Sequence, residues 1–256
     1  MSQTRRPKRG FWAALIGIAV VGLGLLAYIA TKPKQVREVD LVGDPAQARG
    51  YLLGDSAAPL QIIEFADFEC PACAQFATLT EPDVRKRLVE TGQASYRFYD
   101  FPLPIHRNTW AASNAAACAD EQGRFWEMHD RLFDSQDQWN GEATGRPKGV
   151  FTRLAREVGL DEARFEQCYD ENRYQSRIAA NRAEADRRRI GSTPTFIIGV
   201  RGATAGARVL PGTMGIDEFM RNVNEIRAAA GGGAAPHATP HATPNATPAR
   251  GVGPTR

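Results

Sequence analysis

Two cysteines separated by two residues, Cys70 and Cys73, are the side chains whose type and spacing most directly suggest chemistry. They follow a short apolar run at residues 60–65, and Pro71 between them favours the first position of a helix. Cys70 then occupies the N-cap, where unpaired N–H groups and the helix dipole stabilise a thiolate. Cys73 lies one turn further on and is expected to be more buried. The spacing predicts a redox-active disulfide in which Cys70 is attacked and Cys73 resolves.

Other uses of this cysteine pair have less support in the sequence. A zinc site would need a second Cys or His pair with similar local spacing, and the sequence has none. An inert structural disulfide would be unusually labile at a helix N-terminus. Two cysteines also bind Cu(I) readily, but no histidine or methionine is placed to complete such a site. We therefore expect neither a metal nor a cofactor.

The elements that would position the pair alternate between strands and helices. Strands are predicted at residues 60–65, 95–101, 195–199 and 208–210. Helices are predicted at residues 71–90, in a long block that ends near Ile190 and includes an N-cap at Asp161, and at 216–228. Because the helical block interrupts an α/β unit, the order predicts an α/β fold with a helical subdomain inserted at about 105–190.

Four stretches of the chain together resemble DsbA-type proteins of the DsbA, DsbG and BdbD kind. They are Glu64-Phe-Ala-Asp-Phe-Glu-Cys-Pro-Ala-Cys, Phe101-Pro-Leu, Gln122-Gly-Arg-Phe-Trp-Glu-Met-His-Asp and Ser192-Thr-Pro-Thr-Phe. The resemblance spans residues 54–228. It implies a thioredoxin-like fold and a thiol:disulfide oxidoreductase activity.

The resemblance also implies further site residues. Thr193 and Pro194 match the loop whose proline is cis and which presents its backbone to a substrate chain as a strand edge. Glu64 matches a buried acid that could move protons to and from the resolving cysteine, although a partly exposed glutamate at a strand end is the alternative. His106 and His129 also lie at family-like positions, and we assign neither a catalytic role.

The dipeptide between the cysteines departs from the best-known oxidants of this kind. Pro71-Ala72 lacks a histidine beside Cys70, and the acidic neighbours Asp67 and Glu69 disfavour a second negative charge. We therefore expect the pKa of Cys70 to be lowered less than in the strongest oxidants, which would make the disulfide a milder oxidant.

The other two cysteines, Cys118 and Cys168, both fall in the predicted helical block. An even cysteine count in an exported domain favours a structural disulfide between them. Two buried free thiols, behaving as small apolar side chains, are the alternative.

The ends of the chain differ in composition from the middle. Residues 11–30 carry no charge and follow a basic segment at 1–10, which predicts an uncleaved transmembrane signal anchor with a cytoplasmic N-terminus. A linker is expected at residues 31–56 and the folded domain at 57–229. Residues 230–256 are rich in Ala, Pro, Thr and His, and we expect a disordered tail there.

The charge distribution argues against a nucleic-acid partner. Seven basic and no acidic residues lie in residues 1–37, and two basic and no acidic residues lie in 230–256. The overall charge of +3 therefore leaves −6 for residues 38–229. Because the folded part is mildly acidic, it lacks the basic surface that such binding requires.

The combined prediction is a monomeric, membrane-anchored thiol:disulfide oxidoreductase in the periplasm or extracytoplasmic space. Its expected partners are reduced exported proteins and a membrane-bound redox partner that reoxidises the cysteine pair. A reductase or isomerase acting through the same cysteines is the main alternative, and a copper-binding thioredoxin-like protein is a further one.

Overall fold

The computed structural model describes residues 9–31, 37–38, 48–203 and 206–231. The chain divides into two units, Met1–Arg37 and Glu38–Arg256. In the first unit, helix α1 (Arg9–Thr31) covers the apolar segment predicted at 11–30. Within the described residues, no helix has both the length and the apolar character needed to cross a membrane. The predicted anchor therefore stays a prediction, and the tail predicted from residue 230 lies outside the described residues from 232 onward.

The strands of the second unit form a mixed sheet around one central strand. Strand β1 (Arg37–Glu38) has only two residues. The strands that follow it in the chain are β2 (Tyr51–Leu53), β3 (Leu60–Ala66), β4 (Ala94–Asp100), β5 (Thr195–Val200) and β6 (Arg208–Pro211). From residue 48 onward their order is β6-β5-β3-β4-β2. Strand β3 pairs in parallel with β4 and antiparallel with β5, and the outer pairs β2–β4 and β5–β6 are antiparallel. The apolar run of β3 is therefore buried on both faces of the sheet.

Helices cover the sheet and form the predicted insertion. They are α2 (Pro71–Leu79), α3 (Glu81–Val84), a π-helical turn (Arg85–Val89), α4 (Thr109–Asp120), α5 (Phe125–Asp134), α6 (Gln136–Trp139), α7 (Lys148–Glu157), α8 (Glu162–Asp170), α9 (Gln175–Arg187) and α10 (Ile216–Ala229). Helices α4 to α9 lie between β4 and β5, as the sequence predicts for the inserted subdomain. The N-cap predicted at Asp161 is confirmed, because its carboxylate accepts the backbone N–H of Arg164 at 3.0 Å.

Three groups of buried apolar side chains position the cysteine pair. One lies between the sheet and helices α2 and α10 and includes Phe76, Phe196 and Phe219. A second, on the opposite side, packs Ala185 and Ile190 against strands β3 and β5. The third joins α4, α5, α7 and α8 to the start of α2 and contains both cysteines. The inserted helices therefore form one wall of the site.

The continuous helix predicted at 71–90 is wrong. Helix α2 ends at Leu79, and the chain turns at Thr80 before α3 and the π-helical turn. Pro82 has no N–H to donate to the preceding turn and its ring crowds that turn's carbonyl group. At the turn itself, the Thr80 hydroxyl donates to the carbonyl oxygen of Met214 at 2.9 Å. Beyond this break, Glu81 lies in a buried cluster with Glu64 and His129.

The linker predicted at 31–56 extends too far. Tyr51 lies in strand β2, is 3% exposed and stacks on Phe125 with ring centroids 3.6 Å apart. At Gly50, an added Cβ would lie 2.6 Å from the carbonyl oxygen of Phe98, so only glycine lets the edge strand approach β4. The folded part therefore begins before residue 57. A three-residue strand flanked by glycines shows too little alternation to be recognised in the sequence.

Candidate functional site

Cys70 lies at the N-cap of α2, with Pro71 at the first helical position. Its backbone is extended (φ −75°, ψ 122°), so the side chain stands beside the unpaired N–H groups of the first turn. Cys70 is 8% exposed and Cys73 is fully buried, and both are free thiols. The structure therefore leaves only Cys70 open to a reactant, as the spacing predicts.

The two thiols have opposite protonation preferences. A hydrogen bond with Cys73 is the largest influence on Cys70 and lowers the pKa of its thiol from 9.0 to about 5, although burial opposes this change. Burial raises the pKa of Cys73 well above 9.0, and its hydrogen bond to Cys70 raises it further. Near neutral pH the reduced pair therefore holds a thiolate at Cys70 and a thiol at Cys73. This value for Cys70 lies inside the range of about 3.5–7.5 for activated cysteines and above its lower end.

The loop before β5 lies directly against Cys70. The Thr193–Pro194 peptide bond is cis, as the resemblance implies. The Cys70 sulfur lies 3.6 Å from the carbonyl oxygen of Thr193. The side chain of Thr193, which can donate to the sulfur, also lowers the pKa of Cys70. The structure thus brings Cys70 next to Thr193 and Pro194, which lie more than a hundred positions further along the sequence.

The acidic neighbours of Cys70 are occupied by hydrogen-bond donors. Oδ1 of Asp67 accepts the backbone N–H of Glu69 at 2.7 Å. Oδ2 accepts the backbone N–H of Leu103 at 2.7 Å and lies 2.8 Å from Nδ1 of His106. Glu69 accepts the backbone N–H of Asn108 at 2.6 Å. Because N–H groups and an imidazole already surround both carboxylates, they hold the loops around the cysteine pair in place.

His106 supplies a basic group that the dipeptide between the cysteines lacks. Its hydrogen bond to Asp67 is the main reason that the pKa of His106 is raised, and the negative charge of Cys70 raises it as well. The histidine comes from the loop after β4, thirty-six positions beyond the cysteine it interacts with. Sequence spacing alone did not place it at the site.

Glu64 is a buried acid, not a partly exposed strand end. It is 1% exposed on β3, and the hydroxyl of Tyr96 donates to it at 2.7 Å. Burial raises the pKa of Glu64 well above its usual value, and the charge of Glu81 raises it further. The charge of Glu64 in turn raises the pKa of Cys73. Glu64 is therefore placed to hold a proton close to the buried cysteine.

A second buried cluster continues from Glu64 away from the cysteines. One ligand-type atom each of Glu64, Glu81 and His129 lies within 4.8 Å of the other two, and all three residues are buried. Arg85 binds Glu81 at 2.6 Å and lies 3.2 Å from Nδ1 of His129. This set of donors resembles a metal site in composition, but the guanidinium beside it would repel a cation. We therefore do not assign a metal to this cluster.

The remaining cysteines form the predicted structural disulfide. Cys118 and Cys168 are joined with an S–S distance of 2.02 Å and a Cα–Cα distance of 5.8 Å. Both are 1% exposed and link α4 to α8 inside the insertion.

Several residues of the site were missed by the sequence analysis. Glu81 and Arg85 lay within the continuous helix that was predicted, and Tyr96 was assigned only to a strand. The side-chain amide of Gln136 donates to the carbonyl oxygens of Phe68 at 2.7 Å and Cys70 at 3.1 Å, which ties the insertion to the reactive loop. A useful signal was the i, i+4 spacing of Glu81 and Arg85.

Comparisons with known proteins agree with this geometry. A family model described as thioredoxin matches residues 47–205. The structure of alpha-DsbA1 from Wolbachia pipientis has a TM-score of 0.65 and 24% identity, and the match covers 74% of this chain and 95% of that one. A probable disulfide bond formation protein D from Bacillus anthracis is 31% identical over 33% of this chain and 39% of its own length.

A Na⁺/H⁺ antiporter NhaA 3 from Salinispora tropica is 37% identical over 64% of this chain. The match covers only 24% of that protein, so this chain spans about a quarter of the length of the antiporter. The antiporter name describes that longer protein. Since the thioredoxin match covers well over half of the sequence and the fold matches that of DsbA proteins, this chain belongs to the thioredoxin family and has a DsbA-like fold.

Proposed function

We propose that this chain is an extracytoplasmic thiol:disulfide oxidoreductase that forms disulfides in exported proteins. The observation that carries the proposal is the contrast between the two thiols, since the pKa of Cys70 is lowered to about 5 and the pKa of Cys73 is raised. A thiolate stabilised in the reduced protein makes the corresponding disulfide oxidising. The DsbA-like fold and the cis Thr193–Pro194 bond beside Cys70 support the same function.

In the first step, a substrate thiolate attacks Cys70 of the Cys70–Cys73 disulfide. The partial exposure of Cys70 and the complete burial of Cys73 direct the attack to Cys70. A bond forms between the substrate sulfur and Cys70, the Cys70–Cys73 bond breaks, and the electron pair leaves on Cys73. Cys73 then takes a proton from Glu64, since burial favours the neutral thiol. The substrate backbone binds along Thr193 as an added strand edge.

In the second step, another substrate thiolate attacks the substrate sulfur of the mixed disulfide. The substrate disulfide forms and Cys70 leaves as a stabilised thiolate. Two electrons have moved from the substrate to the enzyme, one proton resides on Cys73 and the other is released to solvent. A membrane-bound oxidant then accepts the two electrons and restores the Cys70–Cys73 disulfide.

We also propose that residues 11–30 anchor the domain, as a monomer, to the outer face of the cytoplasmic membrane. The uncharged segment follows four basic residues, a pattern that favours a cytoplasmic N-terminus. The Cys118–Cys168 disulfide also supports an oxidising compartment. Carbonate extraction of membranes checks the anchor: the full chain is expected in the pellet, and a variant lacking residues 1–30 in the soluble fraction.

The reduction potential of the Cys70–Cys73 pair tests the proposed direction of electron flow. The full-length protein is equilibrated in glutathione buffers, its thiols are alkylated, and peptide mapping separates this pair from Cys118–Cys168. A potential of about −120 to −200 mV is expected for a donor of disulfides. A potential near or below about −270 mV would instead make the protein a reductase.

A further inference from the structure

We propose that Glu81, His129 and Asp130 form a proton relay that connects Glu64, and through it Cys73, to solvent. The inference rests on the proposed function, because the relay serves the protonation steps of thiol–disulfide exchange. Glu81 and His129 act through Glu64 and are therefore positioning residues.

The need for a relay follows from burial. Cys73 is fully buried and Glu64 is 1% exposed, yet Cys73 gains a proton in one half of the cycle and loses it in the other. Glu64 can supply that proton once, and must then be reprotonated before the next cycle. A carboxyl group without contact with water cannot exchange its proton directly with solvent. The proton must therefore pass through other buried groups.

The first connection of the relay is the contact between Glu81 and His129. One oxygen of Glu81 is held by Arg85 at 2.6 Å. The other, Oε2, lies 3.8 Å from Nε2 of His129, and neither atom has a hydrogen-bond partner in the described part of the chain. Since buried polar atoms are normally paired, these two atoms are placed to share a proton across a small movement. Both lie in the same cluster as Glu64.

The contacts of His129 Nδ1 support this assignment. Nδ1 lies 2.8 Å from a carboxylate oxygen of Asp130, which is an acceptor, and 3.2 Å from Nη2 of Arg85, which is a donor. Because Nδ1 has both kinds of partner, the hydrogen of the neutral ring can reside on either nitrogen. The ring can therefore take a proton at one nitrogen and release one at the other, as transfer between Asp130 and Glu81 requires.

Asp130 connects the buried pair to water. Its side chain is 49% exposed, and together with Arg85 it lines a surface cavity of about 300 Å³. Arg85 also binds both Glu81 and Asp130, and this holds the two carboxylates in a fixed arrangement on either side of His129. The titratable and charged groups that face the relay and its outlet are Cys70, Cys73, Tyr96, Arg85, Glu90 and Asp134.

One proton moves through the relay in each half of the catalytic cycle. When the Cys70–Cys73 bond breaks, Glu64 gives its proton to the Cys73 thiolate and takes one from the Glu81–His129 pair. Water at Asp130 returns a proton to that pair. During reoxidation the same steps run in reverse, and Cys73 becomes a thiolate that attacks the mixed disulfide at Cys70.

Reaction of the reduced full-length protein with oxidised glutathione separates the relevant steps. Cys70 first forms a mixed disulfide with glutathione, and Cys73 then loses its proton and displaces glutathione. Acid quenching followed by mass spectrometry measures both rates. Glu81→Gln is expected to slow the second step by about tenfold, a fraction of the effect of a general acid–base group, and to leave the first step unchanged. The mixed disulfide should therefore accumulate.

Two further variants separate a relay from a general loss of stability. Glu184→Gln removes another buried glutamate, which Arg188 holds at 2.5 Å on α9, and should not slow the second step. Asp130→Asn changes a half-exposed residue to a side chain of the same size, and should slow that step about threefold. In both relay variants the second rate should also depend more steeply on pH than in the unmodified protein.

The outcomes distinguish failure of the relay from failure of the proposed function. A second step that is unchanged in Glu81→Gln and Asp130→Asn would overturn the relay, as would equal slowing by Glu184→Gln. If the unmodified protein formed no mixed disulfide at Cys70, the proposed function itself would be lost.

Discussion

The two cysteine pairs of this chain have similar burial but different chemistry. All four cysteines are at most 8% exposed, yet Cys118 and Cys168 form a disulfide and Cys70 and Cys73 are free thiols. The first pair links two helices and is separated by 50 positions. The second shares the first turn of α2, where hydrogen bonding lowers one pKa and burial raises the other.

The comparison shows that burial alone does not determine the reactivity of a cysteine. A helix N-terminus, a neighbouring thiol and the Thr193 loop act on Cys70, and together they outweigh the desolvation of its thiolate. Cys118 lies instead near the end of its helix and Cys168 within the last turns of α8, where the dipole favours no anion. The active pair is therefore defined by its position on a helix.

The largest expected effect is the loss of activity when Cys70 is removed. Cys70→Ala should lower the rate of oxidation of a reduced dithiol peptide at least about a thousandfold, as expected for loss of a covalent nucleophile. The double variant Cys118→Ala/Cys168→Ala should retain the rate within about twofold at 25 °C, because that disulfide lies outside the reacting groups. Comparable losses in both variants would contradict the division of roles between the two pairs.

Stability should show the opposite pattern. Cys118→Ala/Cys168→Ala is expected to lower the free energy of unfolding by about 4 kcal/mol, from the entropy of the open 50-residue loop. The melting temperature measured by circular dichroism should fall by about 8–16 °C. Cys70→Ala/Cys73→Ala serves as the matched control and should show no comparable decrease. An equal decrease in the control would mean that both disulfides are structural.

A smaller effect is expected from the acid beneath the active pair. Burial raises the pKa of Glu64, so the unfolded chain releases this proton at a lower pH than the folded one. Glu64 therefore makes folding less favourable as pH rises from its ordinary pKa towards the raised value. Glu64→Gln removes this ionisation, and the variant should be more stable than the unmodified protein by an amount that grows with pH.

Denaturant titration of both proteins between pH 5 and 8 measures this difference. Glu157→Gln is a useful control, because hydrogen bonds from Arg131 lower the pKa of that exposed carboxyl and its removal should give no such gain. A stability difference for Glu64→Gln that shrinks with rising pH would show that Glu64 is ionised in the folded protein.

Local sequence patterns predicted the parts of this molecule that local forces determine. Pro71 after Cys70, the apolar run of β3 and the Asp161 cap each depend on a few neighbouring residues, and the structure has all three. The break at Pro82 was missed because an apolar helical period continues on both sides of it.

Contacts between distant segments could not be obtained in this way. The cis Thr193–Pro194 bond was predicted only from a family resemblance, since a local pattern does not distinguish cis from trans. The contact between Glu81 and His129 joins segments almost fifty residues apart and depends on how α5 packs against α3. The environment of Cys73 likewise depends on tertiary packing.

The smallest expected effect concerns His106, which contributes to the charge balance at Cys70. The Asp67 hydrogen bond raises the pKa of His106, and the Cys70 charge raises it further. Since this interaction is reciprocal, the protonated imidazole must stabilise the Cys70 thiolate by the same free energy. His106→Asn should therefore raise the pKa of Cys70 from about 5 by a few tenths.

Ultraviolet absorbance of the thiolate, followed across a pH titration of the reduced protein, measures this change. Arg107→Gln removes a neighbouring exposed positive charge that has no hydrogen bond to Asp67 in the described structure, and it should change the pKa of Cys70 less. Because the imidazole must be protonated to act, a pKa of Cys70 that does not change in His106→Asn would mean that the ring is neutral where the thiol titrates. In that case the helix N-terminus, Cys73 and Thr193 would account for the thiolate without help from the loop after β4.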